Sequence, residues 1–456
     1  MFSLIVSSVL SDQPIGQTCT ERTVEYDCGN YLFCNITNGT TGFCAACTQD
    51  SDCRSHFYCR ENSQQKMNLC RYEPLLHKWD ARLIGGIITV FFAGIFVSGA
   101  GIGGGGLYVP ILMLLIDFPS SYSIQSSKAL IWGGSVAVTL FNLNKKHPFY
   151  DRPLINFNVA AIIEPISWLG TILGVIFNAV IPDWLLYSAQ FILLSFTAYS
   201  TFKKGIKDQQ KAKAARENGG TDSLLSTHTG QYSGPAYSKL MLVLLFIVWV
   251  VFLFVSVIRG GDGADSFIGI KFCSTWYWIL TFGPFPIYAI INWWMLKLAK
   301  NYPILGEHAN ITPRSLITLL MSGFVAGIAA GFLGIGGGMI KGPMMLALDI
   351  EAEEMAATST FMILMTSSAT SIQYIAMGTM PIAEFFVFAA IGFTSFLVGI
   401  IFLRWLVRKL GNRSIFLYFL AGLIAVSAVC MTVVGIKLVV DEIKNHDKMG
   451  FKPFCH

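Results

Sequence analysis

A run of glycines inside membrane-grade apolar sequence is unfavourable unless the open backbone has a task. This chain has two such runs. The first is Gly101-Ile102-Gly103-Gly104-Gly105-Gly106, and the second is Gly334-Ile335-Gly336-Gly337-Gly338-Met339. A proline closes each unit, at Pro110 and Pro343. One run in each half of the chain points to a transporter with two structural repeats and a substrate site between broken helices.

The surrounding composition is that of an integral membrane protein. The chain is 54% hydrophobic and 13% charged, with mean hydropathy +0.57, whereas a soluble domain carries about 25% charged residues. The 43 glycines and 35 phenylalanines suit membrane helices. The net charge of +5 is spread over loops, which fits positive-inside loops and does not suggest nucleic acid as a partner.

Residues 1–11 form a short apolar start, read as a signal peptide although it lacks Lys or Arg. An uncleaved anchor is the alternative, but the run is too short to span a bilayer. Residues 12–80 hold Cys19, Cys28, Cys34, Cys44, Cys47, Cys53, Cys59 and Cys70. An even cysteine count in a short segment after a secretory start implies a disulfide module, extracellular or lumenal. Oxidising chemistry is expected only there, because Cys273, Cys430 and Cys455 are scattered. Cys44 and Cys47 have the spacing of a metal or redox pair, but no second Cys/His pair supports it. Asn35 and Asn38 stand in glycosylation sequons.

Apolar spans are expected at 83–100, 106–117, 123–142, 154–180, 183–202, 237–258, 276–297, 314–333, 339–349, 357–377, 381–403 and 414–440. Those at 106–117 and 339–349 fall short of the roughly 20 residues a crossing needs. Each follows a glycine run and is read as a half-helix. If each run is the tip of a hairpin, three basic segments fall inside together. They are the Lys145–Arg152 loop, the Lys203–Arg216 linker and the Arg404–Arg413 loop. The first half then enters from outside and the second from inside, which makes an inverted repeat.

The expected fold is thus an all-α integral membrane bundle of two inverted repeats with glycine-broken helices, preceded by a small disulfide-rich module. The first repeat covers 83–202 and a disordered cytoplasmic linker 203–236. Two connecting helices fill 237–297. The second repeat covers 314–440, and 441–456 is a tail.

A shift of 233 positions aligns the copies without a gap. Gly101 meets Gly334, Pro110 meets Pro343, Ser126-Ser127 meets Ser359-Thr360, and Ser135 meets Ser368. Helix starts after the breaks offer free amides to an anion. The prolines are expected near those starts, where a missing N–H matters little. The substrate-binding candidates are Gly101, Gly103, Gly104, Gly105, Gly106, Ser126, Ser127, Lys128, Gly334, Gly336, Gly337, Gly338, Lys341, Ser359 and Thr360. Against this stands the plainer reading that the glycines only allow close helix packing.

Charges within spans are few, so each is informative. Lys341, with Tyr108 as its counterpart, either faces an acidic substrate or snorkels to the interface. Lys128 has the same two readings. Glu164 is a proton-coupling candidate or a structural partner for a lysine such as Lys128. Glu384 and Asp183 are expected at the interface.

The doubled Gly-x-Gly-Gly-Gly motif resembles the sulfite exporter TauE/SafE family of membrane permeases. So do the stretch 357–368, Gln373-Tyr374, Gly378 and Pro381. The resemblance covers roughly 83–440 and implies secondary transport of small sulfur-containing anions such as sulfite or organosulfonates. The expected partners are then a small anionic substrate and the lipid bilayer, and a homodimer is one arrangement open to such a carrier. A receptor whose cysteine module binds an external ligand, or an anion channel, are the alternatives. No nucleophile motif or metal-ligand spacing suggests an enzyme or a cofactor.

Overall fold

The computed structural model describes 18–19, 33–38, 41–53, 57–62 and 67–72 of the N-terminal module. It also describes 81–217 apart from 100, 102, 117 and 148–151, then 239–261, 266, 268–299, 313–347, 350 and 352–410. Scattered positions from 421 to 436 and Cys455 complete it. The module holds two small antiparallel sheets. In one, β1 (Thr18–Cys19), β3 (Thr41–Ala45) and β2 (Phe33–Asn38) lie in that order; in the other, β4 (Phe57–Asn62) pairs with β5 (Met67–Tyr72).

So small a module buries little apolar surface, and covalent bridges tie its strands. Cys47 bonds Cys59 and Cys53 bonds Cys70, and Cys34 and Cys44 are also in disulfides. The Cys44/Cys47 metal or redox pair is thereby excluded, since both thiols are committed to bridges. The clustered sulfurs of Cys47, Cys53 and Cys70 belong to the same two bridges. Cys28 and the Cys19 side chain lie outside the described residues. Asn35 is exposed on β2.

One expectation is overturned. Disulfides are not confined to the module, because Cys273 bonds Cys455 across 182 positions.

The membrane region is helical: α1 (Ala81–Val97), α2 (Gly105–Leu115), α3 (Ser120–Leu143), α4 (Phe157–Val180), α5 (Asp183–Glu217), α6 (Lys239–Arg259), α7 (Thr275–Phe282), α8 (Pro284–Ala299), α9 (Pro313–Leu333), α10 (Gly338–Ala347), α11 (Ala352–Ala376) and α12 (Ile382–Leu410). Among the described residues, five spans are long and apolar enough to cross a bilayer. The short spans expected after each glycine run are α2 and α10. The span expected at 276–297 is one of these five, Thr275–Leu298; it comprises α7 and α8, which meet at Gly283, itself in right-handed helical conformation. Helix α5 continues through the lysine-rich stretch to Glu217.

Helix α4 forms the centre and is buried over most of its length. It packs on α9 through small residues. A methyl added at Gly327 would lie 1.9 Å from the Ser167 carbonyl oxygen, and one at Gly170 would lie 2.2 Å from that of Phe324. With no water to drive association in a bilayer, such backbone proximity is what holds two helices together. The pairing recurs with the halves exchanged: α9 and α11 of the second half pack on α4, and α1 and α3 of the first pack on α12. Helix α6 instead exposes Val243, Ile247, Val250 and Phe254.

The bundle has two distinct ends. At one, the 144–156 loop meets the start of α11, where the Asn156 amide donates to Thr358 Oγ1 at 2.9 Å. At the other, the start of α3 meets the end of α4, with Ser121 beside Asn178. Gly261 packs there on Met377.

Candidate functional site

The two glycine runs cross at the centre of the bundle, backbone against backbone. A methyl on Gly103 would lie 3.0 Å from Gly336 Cα. One on Gly105 would lie 2.3 Å from the Gly334 carbonyl oxygen, and one on Gly338 would lie 2.6 Å from that of Gly101. Gly101, Gly103, Gly104 and Gly334 also have φ between 67° and 84°, which side-chain-bearing residues rarely adopt. The glycines therefore do allow close packing, but of run on run rather than of helix on helix. Gly106 abuts Leu194 and Met339, and Gly337 lies beside the Lys341 side chain.

Hydroxyls from α3 and α11 clamp the crossing. Ser127 Oγ donates to the Gly334 carbonyl at 3.0 Å, and Ser359 Oγ donates to the Gly101 carbonyl at 2.7 Å. These reciprocal bonds pair Ser127 with Ser359, at a separation of 232. The gapless 233-residue register is therefore corrected: it holds for the runs and slips by one residue at α3 and α11. Ser126 is buried with no hydrogen-bond partner for its hydroxyl, and Thr360 bonds within its own helix to the Ala356 carbonyl. The prolines also depart from expectation. Helices α2 and α10 begin at Gly105 and Gly338, so Pro110 and Pro343 lie inside them and each removes an internal hydrogen bond.

Both lysines are buried, which removes the snorkelling reading. Lys128 Nζ donates to the Ile335 carbonyl of the second run at 2.8 Å. Lys341 forms a salt bridge with Glu164, and its ammonium also donates to Thr366 Oγ1 at 3.0 Å. Thr366 Oγ1 in turn donates to the other Glu164 oxygen at 2.9 Å. Glu164, Lys341 and Thr366 thus close a triangle from α4, α10 and α11, with no side-chain exposure for either charged member. The lysine partnering Glu164 is Lys341, not Lys128. Lys128 and Lys341 remain within Coulombic reach of each other.

In the other half Tyr108 stands at the position of Lys341 and Gly134 at that of Thr366, and a methyl on Gly134 would lie 2.6 Å from the Phe396 ring. The lysine and threonine of the triangle are thus replaced there by an aromatic ring and a glycine. Glu384, in the first turn of α12, is buried as well.

A second polar cluster escaped the sequence reading. Arg152 Nη1 and Nη2 bond Glu354 Oε1 and Oε2 at 2.9 and 3.1 Å, and Asn156 Nδ2 donates to Glu354 Oε1 at 2.9 Å. His147 Nε2 lies 3.4 Å from Glu354 Oε2. Burial alone would raise the Glu354 carboxyl, but His147, Arg152 and Asn156 outweigh it and hold the carboxyl below the ordinary glutamate value. The cluster ties the loop between α3 and α4 to the start of α11.

A model of the sulfite exporter TauE/SafE family matches this chain twice, over residues 86–260 and 223–431. The chain belongs to the sulfite exporter TauE/SafE family. It is 30% identical over 402 residues to Sulfite exporter TauE/SafE family protein 3 of Arabidopsis thaliana, covering 82% of this chain and 83% of that one. Family protein 2 of the same plant is 28% identical over 410 residues, 84% and 89% of the two chains. A shorter match, 30% over 106 residues, is to Probable membrane transporter protein YunE of Bacillus subtilis (strain 168), 23% and 36% of the two chains. TauE/SafE membership makes this a multi-pass membrane protein of a transporter family. Both glycine runs and the Glu164–Lys341–Thr366 triangle lie within the matched residues, and the cysteine module precedes them.

Proposed function

We propose that the protein is a proton-coupled secondary carrier of a small oxyanion, sulfite or an organosulfonate, working by alternating access between two inverted repeats. The observation that carries this reading is the buried Glu164–Lys341–Thr366 triangle beside the second glycine run. Breaking a buried ion pair by removing one partner costs about 3–5 kcal/mol, because the other charge is left uncompensated. Proton uptake by Glu164 leaves Lys341 in that condition, and an anion arriving from the glycine crossing restores neutrality. Proton and anion therefore bind together and leave together. Lys128 adds positive charge, and the starts of α2 and α10 add amide donors.

In this reading the Arg152–Glu354 cluster closes one end of the path and the contacts around Asn178 close the other. The cysteine module lies outside or in a lumen. The Cys273–Cys455 bridge supports that orientation, since disulfides persist in oxidising compartments. Cys273 lies on the 260–274 connection, which begins at the end marked by Gly261 and Met377, away from the lysine-rich end of α5.

Purified protein in liposomes should accumulate labelled sulfite or a sulfonate against its gradient when protons flow with it. Counterflow should speed the exchange, which separates a carrier from a channel. No flux across a panel of sulfur oxyanions and carboxylates would contradict the proposal.

A further inference from the structure

A cavity of about 90 Å³ opens between α4, α6, α7 and α8, apart from the glycine crossing. Its walls are apolar, with Ile172, Phe252, Val255 and Leu280 among them. Val251 and Ile287 also line it and are half-exposed on the apolar outer surface, so the cavity opens toward lipid rather than water.

One charged side chain reaches this apolar space. Arg259, the last residue of α6, lines the cavity and is only 4% exposed. Its Nη1 donates to Thr281 Oγ1 at 3.2 Å, and its guanidinium lies 5.1 Å from the Tyr277 ring centroid. Its Nε has no hydrogen-bond partner, and it makes no ion pair among the described residues. A hydroxyl and an aromatic face satisfy part of a guanidinium but do not neutralise it. A buried cation without an anion is disfavoured by several kcal/mol. Ser256 adds a hydroxyl to the same wall.

From this geometry we propose that the cavity binds the head group of an anionic membrane lipid. The acidic oxygens sit on Arg259, and the first methylenes enter along Val251 and Ile287. A volume of about 90 Å³ suits this partial seat rather than a whole acyl chain. The guanidinium stands where α6 ends, next to the Gly261–Met377 contact, which is the depth of a head group. Its planar donor fork matches a phosphodiester with two parallel bonds.

The test is thermal unfolding of the full chain in a neutral detergent, titrated with dioleoyl-phosphatidylglycerol, dioleoyl-phosphatidylcholine or inorganic phosphate. Phosphatidylglycerol should stabilise the wild type, and the two controls should not. Arg259→Gln should weaken the phosphatidylglycerol response by about tenfold, the loss of one charge-assisted contact. Val255→Trp fills the cavity while sparing the charge, and should weaken it comparably; it decides the matter if Arg259→Gln does not fold. Equal stabilisation by phosphatidylcholine would overturn the proposal, as would an equal effect of phosphate alone. An unchanged response in the Trp variant would also overturn it.

Discussion

Ser127 and Ser359 make the same bond in opposite directions. Each reaches from its own half of the chain to the carbonyl of the first glycine in the other half's run. The two runs are therefore locked by each other's helices, and neither half can form the crossing alone. Ser127→Ala and Ser359→Ala should each lower stability by about 1–3 kcal/mol, the value of a buried partner left unsatisfied. Thermal unfolding in detergent checks this. The Ser126→Ala variant should be neutral, since that hydroxyl bonds nothing.

Glycine substitutions give a sharper contrast. Gly103→Ala puts a methyl 3.0 Å from Gly336 Cα at a φ of +84° and should sharply reduce folded protein. Gly85→Ala on α1 meets nothing within 4 Å and should be neutral or gain up to about 1 kcal/mol from helix propensity. Monodisperse yield on size exclusion distinguishes the two.

Much of this was legible in the sequence. The glycine runs announced themselves because glycine is costly in an apolar helix, and their common offset tied them together. The one-residue slip was not legible. Ser126-Ser127 and Ser359-Thr360 are both hydroxyl pairs, so two registers match equally well, and only the bonded partner chooses between them. Glu164 and Lys341 stood out as lone intramembrane charges, but 177 positions separate them and sequence offers no distance. Arg152 read as one more positive-inside charge, since Glu354 is far along the chain.

The Arg152–Glu354 cluster predicts a pH dependence. The Glu354 carboxyl is held below its ordinary value in the folded protein, so it favours folding above the unfolded-state value. That contribution fades as pH falls through the folded value. Glu354→Gln should therefore lower stability at neutral pH and flatten its acid dependence. Unfolding temperatures of both proteins measured from neutral to acidic pH test this, and parallel curves would contradict it.

The Cys273–Cys455 bridge makes a labelling prediction. Protein isolated without reductant should resist thiol reagents at both positions, and reduction should release the pair together. The Cys273→Ser variant should expose Cys455 to labelling from the same side as the cysteine module.

Two substitutions separate the structural from the transport role of the central triangle. Glu164→Gln or Lys341→Met alone should destabilise by about 3–5 kcal/mol, whereas joint replacement by apolar residues of similar volume should recover much of that loss. The recovered protein should fold and carry nothing.

The most direct measurement is sulfite or sulfonate flux in liposomes with and without an imposed proton gradient, for the wild type and Glu164→Gln. Proton-coupled carriage through the Glu164–Lys341 pair predicts gradient-driven accumulation in the wild type. It also predicts that Glu164→Gln retains anion exchange but no longer responds to the gradient. A Glu164→Gln protein that still accumulates substrate on the proton gradient would contradict it.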